Sequence, residues 1–268
     1  MDCIGWITSC DIQSTQSNRM KQQYKSIFIS DVHLGTRDCK ADELCSFLKH
    51  NKCENLYLVG DIIDGWRIQQ NKWVWNNSHS NVVKRILKSA KNGTNVVYVA
   101  GNHDEFLRPI MPFGIDVGDI NIVNQFIHHG IDGKRYLVTH GDMFDGISTL
   151  APWLGFIGDK GYDIILNLNS KFNWIRHKMG FGYWSLSAFI KHKVKSAVDF
   201  IFEFEKNLIG YCKKRGFDGI ICGHIHHAEI KVIDDIIYMN DGDWVESMTA
   251  LVEEYDGTWK IITWSSIT

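Results

Sequence analysis

What most constrains this chain is the set of residues that follows its short β-rich runs. Five runs, 26–30 (SIFIS), 55–59 (NLYLV), 95–100 (NVVYVA), 135–139 (RYLVT) and 219–222 (GIIC), stop at residue types that bind metals. Asp31 and His33 follow the first, Asp61 the second, and Asn102 and His103 the third. His140 follows the fourth, and His224 and His226 the fifth. Short runs bounded by turn residues read as strands. Between them lie helical periodicities: Leu44, Phe47 and Leu48 in 42–50, and Val82, Val83, Ile86, Leu87 and Ala90 in 80–91, with Gly93 as a stop. Alternating strands and helices predict an α/β fold. Ligands of open α/β sheets gather at the C-terminal strand ends. Five loops therefore carry oxygen and nitrogen donors to one rim.

Each piece has its own chemistry. In Asp31-Val32-His33 an extended chain points both side chains the same way, so an oxygen and a nitrogen can grip one ion. Asp61 has two carboxylate oxygens and can bridge two cations, while Gly60 permits a tight turn beside it. Asn102 offers a neutral oxygen, His103 is free to act on a substrate, and Asp104 is placed to orient that imidazole. His140-Gly141-Asp142 and Gly223-His224-Ile225-His226 complete the set. Taken singly, D-x-H reads as a surface pair, Gly-Asp as a turn and a strand-end histidine as structural. The functional reading rests on five such pieces in order, four of them beside a glycine.

The remaining sequence bounds the class. A chain of 268 residues can build one large core plus an inserted subdomain. Seven cysteines without a C-x-x-C pair argue against a disulfide framework or zinc knuckle and for reduced thiols in a cytoplasmic protein. No apolar run reaches the roughly 18 residues of a membrane span. Residues 1–25 read as a flexible polar arm without a secretory signal, with Met1 or Met20 as the start. Residues 146–215 lack β-rich runs and place apolar residues at helical spacing: Tyr162, Ile165 and Leu166 in one helix, Val194, Ala197, Val198, Ile201 and Phe202 in another over 187–205. This segment reads as a helical cap inserted into a main domain of 26–145 and 216–268. It holds eleven Lys/Arg against five Asp/Glu, so the frame around it is acidic. Such a division suggests metal binding in the frame and an anionic partner at the insert. The tail returns to short strands (EIKVI, IIYMN, TALVE, WKIITW) in an expected meander, with Asp241 and Asp243 read as turn residues.

D-x-H, G-D, G-N-H-D, H-G-D and G-H-x-H together resemble the signature of the calcineurin-like metallophosphoesterases, from Asp31 to His226. The resemblance implies a four-layer αββα sandwich with an inserted cap and a dinuclear site. By motif, Asp31, His33, Asp61 and His226 hold one ion, and Asp61, Asn102, His140 and His224 the second. His103 is the catalytic histidine. Mixed O and N ligands suit Mn²⁺, Fe²⁺ or Zn²⁺ better than Mg²⁺ or Ca²⁺, and Mn²⁺ is the favoured expectation. A water activated between the ions attacks phosphorus in line, while the metals and His103 stabilise the developing charge.

A narrower resemblance covers 31–35 (DVHLG), 60–66 (GDIIDGW), the tryptophans at 73 and 75, 223–229 (GHIHHAE) and 240–244 (NDGDW). These are similar to the branch containing UDP-2,3-diacylglucosamine pyrophosphatases, which split a nucleotide-linked acylated sugar in lipid A synthesis beneath a helical cap. Many members have Arg where this chain has His103. The other readings are a phosphodiesterase or phosphatase of another substrate, a nuclease, and a non-catalytic protein-binding scaffold. The full set of ligand positions opposes the last.

In the cap, Lys171, Arg176, Lys178, Lys191, Lys193 and Lys195 alternate with aromatic and aliphatic residues. Such a surface fits peripheral contact with an anionic membrane at its cytoplasmic face, and the same aromatics also fit a core. Nucleic acid is not an expected partner, because the basic residues concentrate in the insert. Trp66, Lys171, Arg176, Lys191 and Lys195 are the expected substrate contacts. Trp73 and Trp75 fit either stacking on a base or sugar or local packing.

Overall fold

The computed structural model describes residues 21–113, 120–144, 178 and 186–264. The strands are β1 (Gln22–Ile29), β2 (Asn51–Val59), β3 (Asn95–Val99), β4 (Ile120–Val123), β5 (Gln125–His129), β6 (Arg135–Thr139), β7 (Gly219–Cys222), β8 (Glu229–Ile233), β9 (Ile236–Asn240), β10 (Thr249–Glu253) and β11 (Trp259–Thr263). The helices are α1 (Ala41–His50), α2 (Gly65–Gln69), α3 (Asn77–Lys91) and α4 (Leu186–Arg215).

The chain folds as two sheets. One runs β11-β10-β1-β2-β3-β4, the other β5-β6-β7-β9-β8. In each, the central strands are parallel: β1 to β4 in the first, and β6, β7 and β9 in the second. Strands covered on both faces read as continuous apolar runs rather than alternating ones. β1 illustrates this. Phe28 faces the second sheet, in a core with Tyr57, Val59, Val97, Val99, Val138, Ile221 and Met239. Ile27 and Ile29 face the helices α1 and α3, packing with Leu44, Phe47, Val82 and Ile86.

Local signals explain those helices. α1 buries Ala41, Leu44, Phe47 and Leu48 along one stripe, with Asp42 and Glu43 in its first turn and Lys49 and His50 in its last. Both charge placements complement the helix dipole. α3 is capped by the Asn76 side chain, which accepts a hydrogen bond from His79 N at 3.0 Å. On the far side, Phe204, Leu208, Ile209 and Cys212 of α4 pack against Leu137, Ile220, Cys222 and Tyr238. The layers are therefore helix, sheet, sheet and helix, as the expected α/β sandwich requires.

Four boundaries differ from the sequence reading. β1 begins at Gln22 and pairs with β2 from Asn51, so the last residues of the expected arm are sheet. β4 and β5 went unread because each is short and mixed in polarity. The chain passes from one sheet to the other between them, at Asn124. The expected end of the cap at 215 falls at the end of a helix whose second half belongs to the sandwich. The tail is not one meander: β8 and β9 form a hairpin in one sheet, β10 and β11 a hairpin in the other. Among the described residues no helix is long and apolar enough to cross a membrane. The expected helix around Tyr162, and Lys171 and Arg176, lie outside the described residues.

Candidate active site

The parallel strands of both sheets end at the same rim, where Asp31, His33, Asp61, His140, His224 and His226 come together. Asp31 Oδ1 lies 3.1 Å from His226 Nε2 and 3.8 Å from His33 Nε2. Asp61 Oδ2 lies 3.3 Å from His140 Nε2 and 4.0 Å from His103 Nε2. The His140 and His224 rings stand edge to face at 5.1 Å. Asp31, Asp61 and His140 form a buried trio whose ligand atoms lie within 4.8 Å of one another, and Asp31, His33 and His226 form a second group.

The backbone reaches this arrangement differently from the sequence reading. Asp31, His33, Asp61, His224 and His226 all have positive φ, between 50° and 71°. The D-x-H and H-x-H pairs therefore converge through left-handed turns, not along an extended chain. Each such residue costs about 1–2 kcal/mol. A zipper between two loops offsets part of this: Asp31 N donates to Gly60 O at 3.1 Å, and Val32 N and His33 N donate to Asp61 O at 3.0 and 2.9 Å. Leu34 N then donates to Ile62 O, and Asp64 N returns to Leu34 O, both at 2.9 Å. Gly60, at φ 86°, backs onto the His140 ring, where a Cβ would collide.

Charge inside the site is self-compensating. Burial pushes the Asp31 carboxyl up, but His226, His140 and His33 outweigh it and hold the acid well below the usual carboxylate range. Burial also opposes Asp61, where His140 prevails and holds the group at about 2. Conversely, burial disfavours charge on His226, yet Asp31 raises it to about 9. His140 is raised well above its ordinary value against the same penalty, chiefly by Asp61 and Asp31. Divalent cations can take over this countercharge, releasing protons from the imidazoles as they bind.

The donor set fits such ions. Among the described residues, Asn102 Oδ1 is buried without a hydrogen-bond partner, and Asp31 Oδ1 and His140 Nε2 have only the ion-pair contacts to His226, His33 and Asp61. Carboxylate and imidazole atoms buried with no partner but each other are costly unless something electropositive meets them. Mixed oxygen and nitrogen donors suit a borderline divalent metal.

One partner differs from the sequence reading. Asp104 does not orient His103. It is fully buried and accepts from Ile62 N at 3.0 Å, Tyr98 OH at 2.6 Å and Gly101 N, bracing the loop instead. Asp64 is the acid beside the Nδ1 edge of that ring, at ion-pair distance: its Oδ2 lies 3.2 Å from His103 Nδ1 and 3.5 Å from His33 Nδ1. Its Oδ1 accepts from Arg67 N at 2.9 Å and caps α2. Burial would lower the His103 pKa, but Asp64 and then Asp61 raise it above the ordinary imidazole value. Asp142, the last residue of H-G-D, pairs with Arg108 at 2.6 Å and ties the β6 exit to the loop after β3.

Trp66 stacks on His103 with ring centroids 3.9 Å apart, and remains 36% exposed at the rim. Trp73 and Trp75 pack on each other at 4.8 Å. Trp75 Nε1 also donates to Ser80 Oγ, so this pair serves local packing. Lys191 and Lys195 lie within α4, and their side chains fall outside the described residues. Asp243 is a turn residue, its Oδ1 accepting from Val245 N at 2.8 Å. Asp241 is not: it is wholly buried beneath Asp31 and hydrogen-bonds Ser30.

The calcineurin-like phosphoesterase family matches residues 24–228, most of the chain and the five loops from Asp31 to His226. The chain belongs to that family. That family is one of phosphoester hydrolases that work with divalent metal ions. A curated relative, the UDP-2,3-diacylglucosamine hydrolase of Wigglesworthia glossinidia brevipalpis, is 29% identical over 82 residues, covering 30% of this chain and 32% of that protein. The match thus spans about a third of the relative's length. Similar solved structures include a phosphoesterase of E. coli (14% identity, 90% of this chain and 99% of that one, TM-score 0.41). Another is the vacuolar protein sorting 29 protein of Cryptosporidium parvum (11% identity, 88% and 94%, TM-score 0.42).

Proposed function

We propose that this phosphoesterase cleaves the pyrophosphate of UDP-2,3-diacylglucosamine, or a similar nucleotide-linked acylated sugar, to UMP and an acylated sugar phosphate. Asp31, His33, Asp61 and His226 would hold one divalent ion, and Asp61, Asn102, His140 and His224 the second, with Mn²⁺ preferred over Fe²⁺ or Zn²⁺. The observation that carries the metal reading is the buried trio of Asp31, Asp61 and His140, whose ligand atoms lie within 4.8 Å of one another, beside the group of Asp31, His33 and His226. The substrate reading is supported by the local identity to a hydrolase of that name.

Two such ions, when bound, supply Lewis-acid polarisation of the phosphoryl group and an acidified water. The protein's own part centres on His103. Asp64 fixes its Nδ1 side, at 3.2 Å, and Trp66 covers one ring face. Nε2 is left facing the site, 4.0 Å from Asp61 Oδ2. A protonated His103 then donates from Nε2 to a phosphoryl or leaving-group oxygen as negative charge develops there. Trp66 beside it offers an indole edge to a base or sugar. Lys171, Arg176, Lys191 and Lys195 are proposed contacts for the anionic, acylated part, and with the aromatics of the insert for a membrane surface on the cytoplasmic side.

A second reading, a phosphodiesterase or phosphatase of another substrate, is favoured by His103 standing where many pyrophosphatases of that branch have Arg. The test is an assay of Mn²⁺-loaded protein on UDP-2,3-diacylglucosamine beside a generic phosphodiester, with Asp61→Ala as control. UMP release that is absent in the variant supports the lipid-sugar reading. Hydrolysis of the generic ester alone discards it in favour of the second.

A further inference from the structure

Ser30 follows β1 directly, and its hydroxyl sits between two carboxyl groups. Ser30 Oγ is 2.5 Å from Asp31 Oδ2 and 2.6 Å from Asp241 Oδ1, with Gly242 O farther away at 3.2 Å. Ser30 is 1% exposed and both acids 0%. Oxygens this close must share a proton at each contact, because O–H···O bonds fall at these separations and bare oxygens repel. Two contacts therefore need two protons. A serine hydroxyl carries one. The second must reside on a carboxyl group.

Asp31 is not its carrier. Its Oδ2 also accepts from His224 N at 2.9 Å, and its Oδ1 faces His226 at 3.1 Å. Both environments favour the anion. Asp241 has the opposite surroundings. Its Oδ2 is buried without a hydrogen-bond partner, and no cationic side chain comes within ion-pair distance among the described residues.

The geometry points to Asp241 as a positioning residue that stays protonated, donates from Oδ1 to Ser30 Oγ, and through the serine donates to Asp31 Oδ2. The chain of bonds occupies Asp31 Oδ2 and leaves Oδ1, beside His226, as the oxygen available to a metal ion. Burial, the largest influence on the Asp241 carboxyl, holds it well above the usual carboxylate range despite the Ser30 hydrogen bond.

The loop carrying Asp241 is held so that the acid cannot turn away. Asp241 N donates to Cys222 O at 3.1 Å and Thr249 Oγ1 to Asp241 O at 2.9 Å. Asn240 Nδ2 donates to Gly223 O at 2.7 Å, and Trp244 N to Asp31 O at 3.0 Å. Gly223 is required beside the chain, because a Cβ there would collide with Ser30 Oγ and Asp31 Oδ2. The 240–244 motif thus brings a sixth strand exit, that of β9, under the site.

This inference rests on Asp31 being a metal ligand, so its test reads metal binding rather than turnover. Purified full-length wild type, Ser30→Ala, Asp241→Ala and Asp241→Asn would be titrated with Mn²⁺ and free ion followed by electron paramagnetic resonance. Loss of such an outer partner weakens metal affinity about 10–100-fold, the result expected for Ser30→Ala and Asp241→Ala. Asp241→Asn should bind nearly as wild type, because its amide donates from the same position. An infrared difference spectrum, wild type minus Asp241→Asn, should contain the C=O stretch of a protonated carboxyl. Asp241→Asn binding as poorly as Asp241→Ala, or Ser30→Ala binding as wild type, would overturn the proposal. Should Asp241→Ala fail to fold, Ser30→Ala and Asp241→Asn still decide. Wild type that binds no Mn²⁺ overturns the ligand assignment itself, and the relay with it.

Discussion

At the residue scale, the site depends on carboxylates held as anions by imidazoles. Asp61→Ala removes Oδ2, which faces His140 and His103, and Oδ1, the acceptor of His103 N at 2.8 Å. Turnover should vanish and Mn²⁺ binding should fall, which an equilibrium titration of the variant checks. Near-normal activity would sink the dinuclear assignment. His103→Ala should keep its metal and lose about 10²–10³-fold in kcat, as when one charge-stabilising donor is removed. Metal loss in that variant would make His103 a ligand instead. The His103–Asp64 pair also sets a pH dependence. Asp64 is the largest influence raising the His103 pKa, so the donor form persists below that raised value and is lost as pH rises through it. Asp64→Asn should therefore move the alkaline limb of kcat to lower pH, and an unmoved limb would take His103 out of the profile. The donor residues were legible because each follows a strand. Asp64 was not assigned its role, since its contact with His103 exists only once two loops fold together. Asp241 reads locally as a turn, and its Ser30 partner is 211 positions away.

Among the elements, α4 is the one whose role divides along its length. Its sequence has apolar residues at helical spacing throughout, which cannot say what covers them. The structure buries Phe204, Leu208, Ile209 and Cys212 against the second sheet and leaves Lys206 exposed. Leu208→Ala should cost about 2–5 kcal/mol by removing a buried side chain from a packed core. Lys206→Ala should stay within about 0.5 kcal/mol. Urea midpoints of the two variants compare them directly, and equal midpoints would return this half of the helix to the cap. β4 and β5 were missed for the same reason in reverse: their half-buried residues gain meaning only from the strands beside them.

Across the whole molecule, one buried polar tie joins the two sheets. Glu253 of β10 accepts from Ser26 Oγ at 2.8 Å and Ile131 N at 2.9 Å, and meets His128 Nε2 of β5 at 2.9 Å. Burial opposes the Glu253 anion, but His128, Ile131 and Ser26 outweigh it and lower its pKa. Its stabilisation is therefore complete above the ordinary glutamate value of about 4.3. It is lost as pH falls through the lower folded value. Urea unfolding from pH 7 to 3 should show a declining midpoint, with Glu253→Gln weaker at pH 7 by about 1–3 kcal/mol and flatter toward acid. Equal slopes would remove Glu253 from the acid response. Mn²⁺ should raise the Tm of wild type by binding the folded state, and much less that of Asp61→Ala.

The sequence by itself determined the α/β class, the order of strand exits and the residue types placed on them. Those follow from local periodicity and from the turn residues that end each run. Tertiary structure decided which donors face each other, which acid orients His103, and that Asp241 lies beneath Asp31. Those depend on two sheets packing with their parallel strand ends at one rim, a long-range arrangement that no stretch of local sequence encodes.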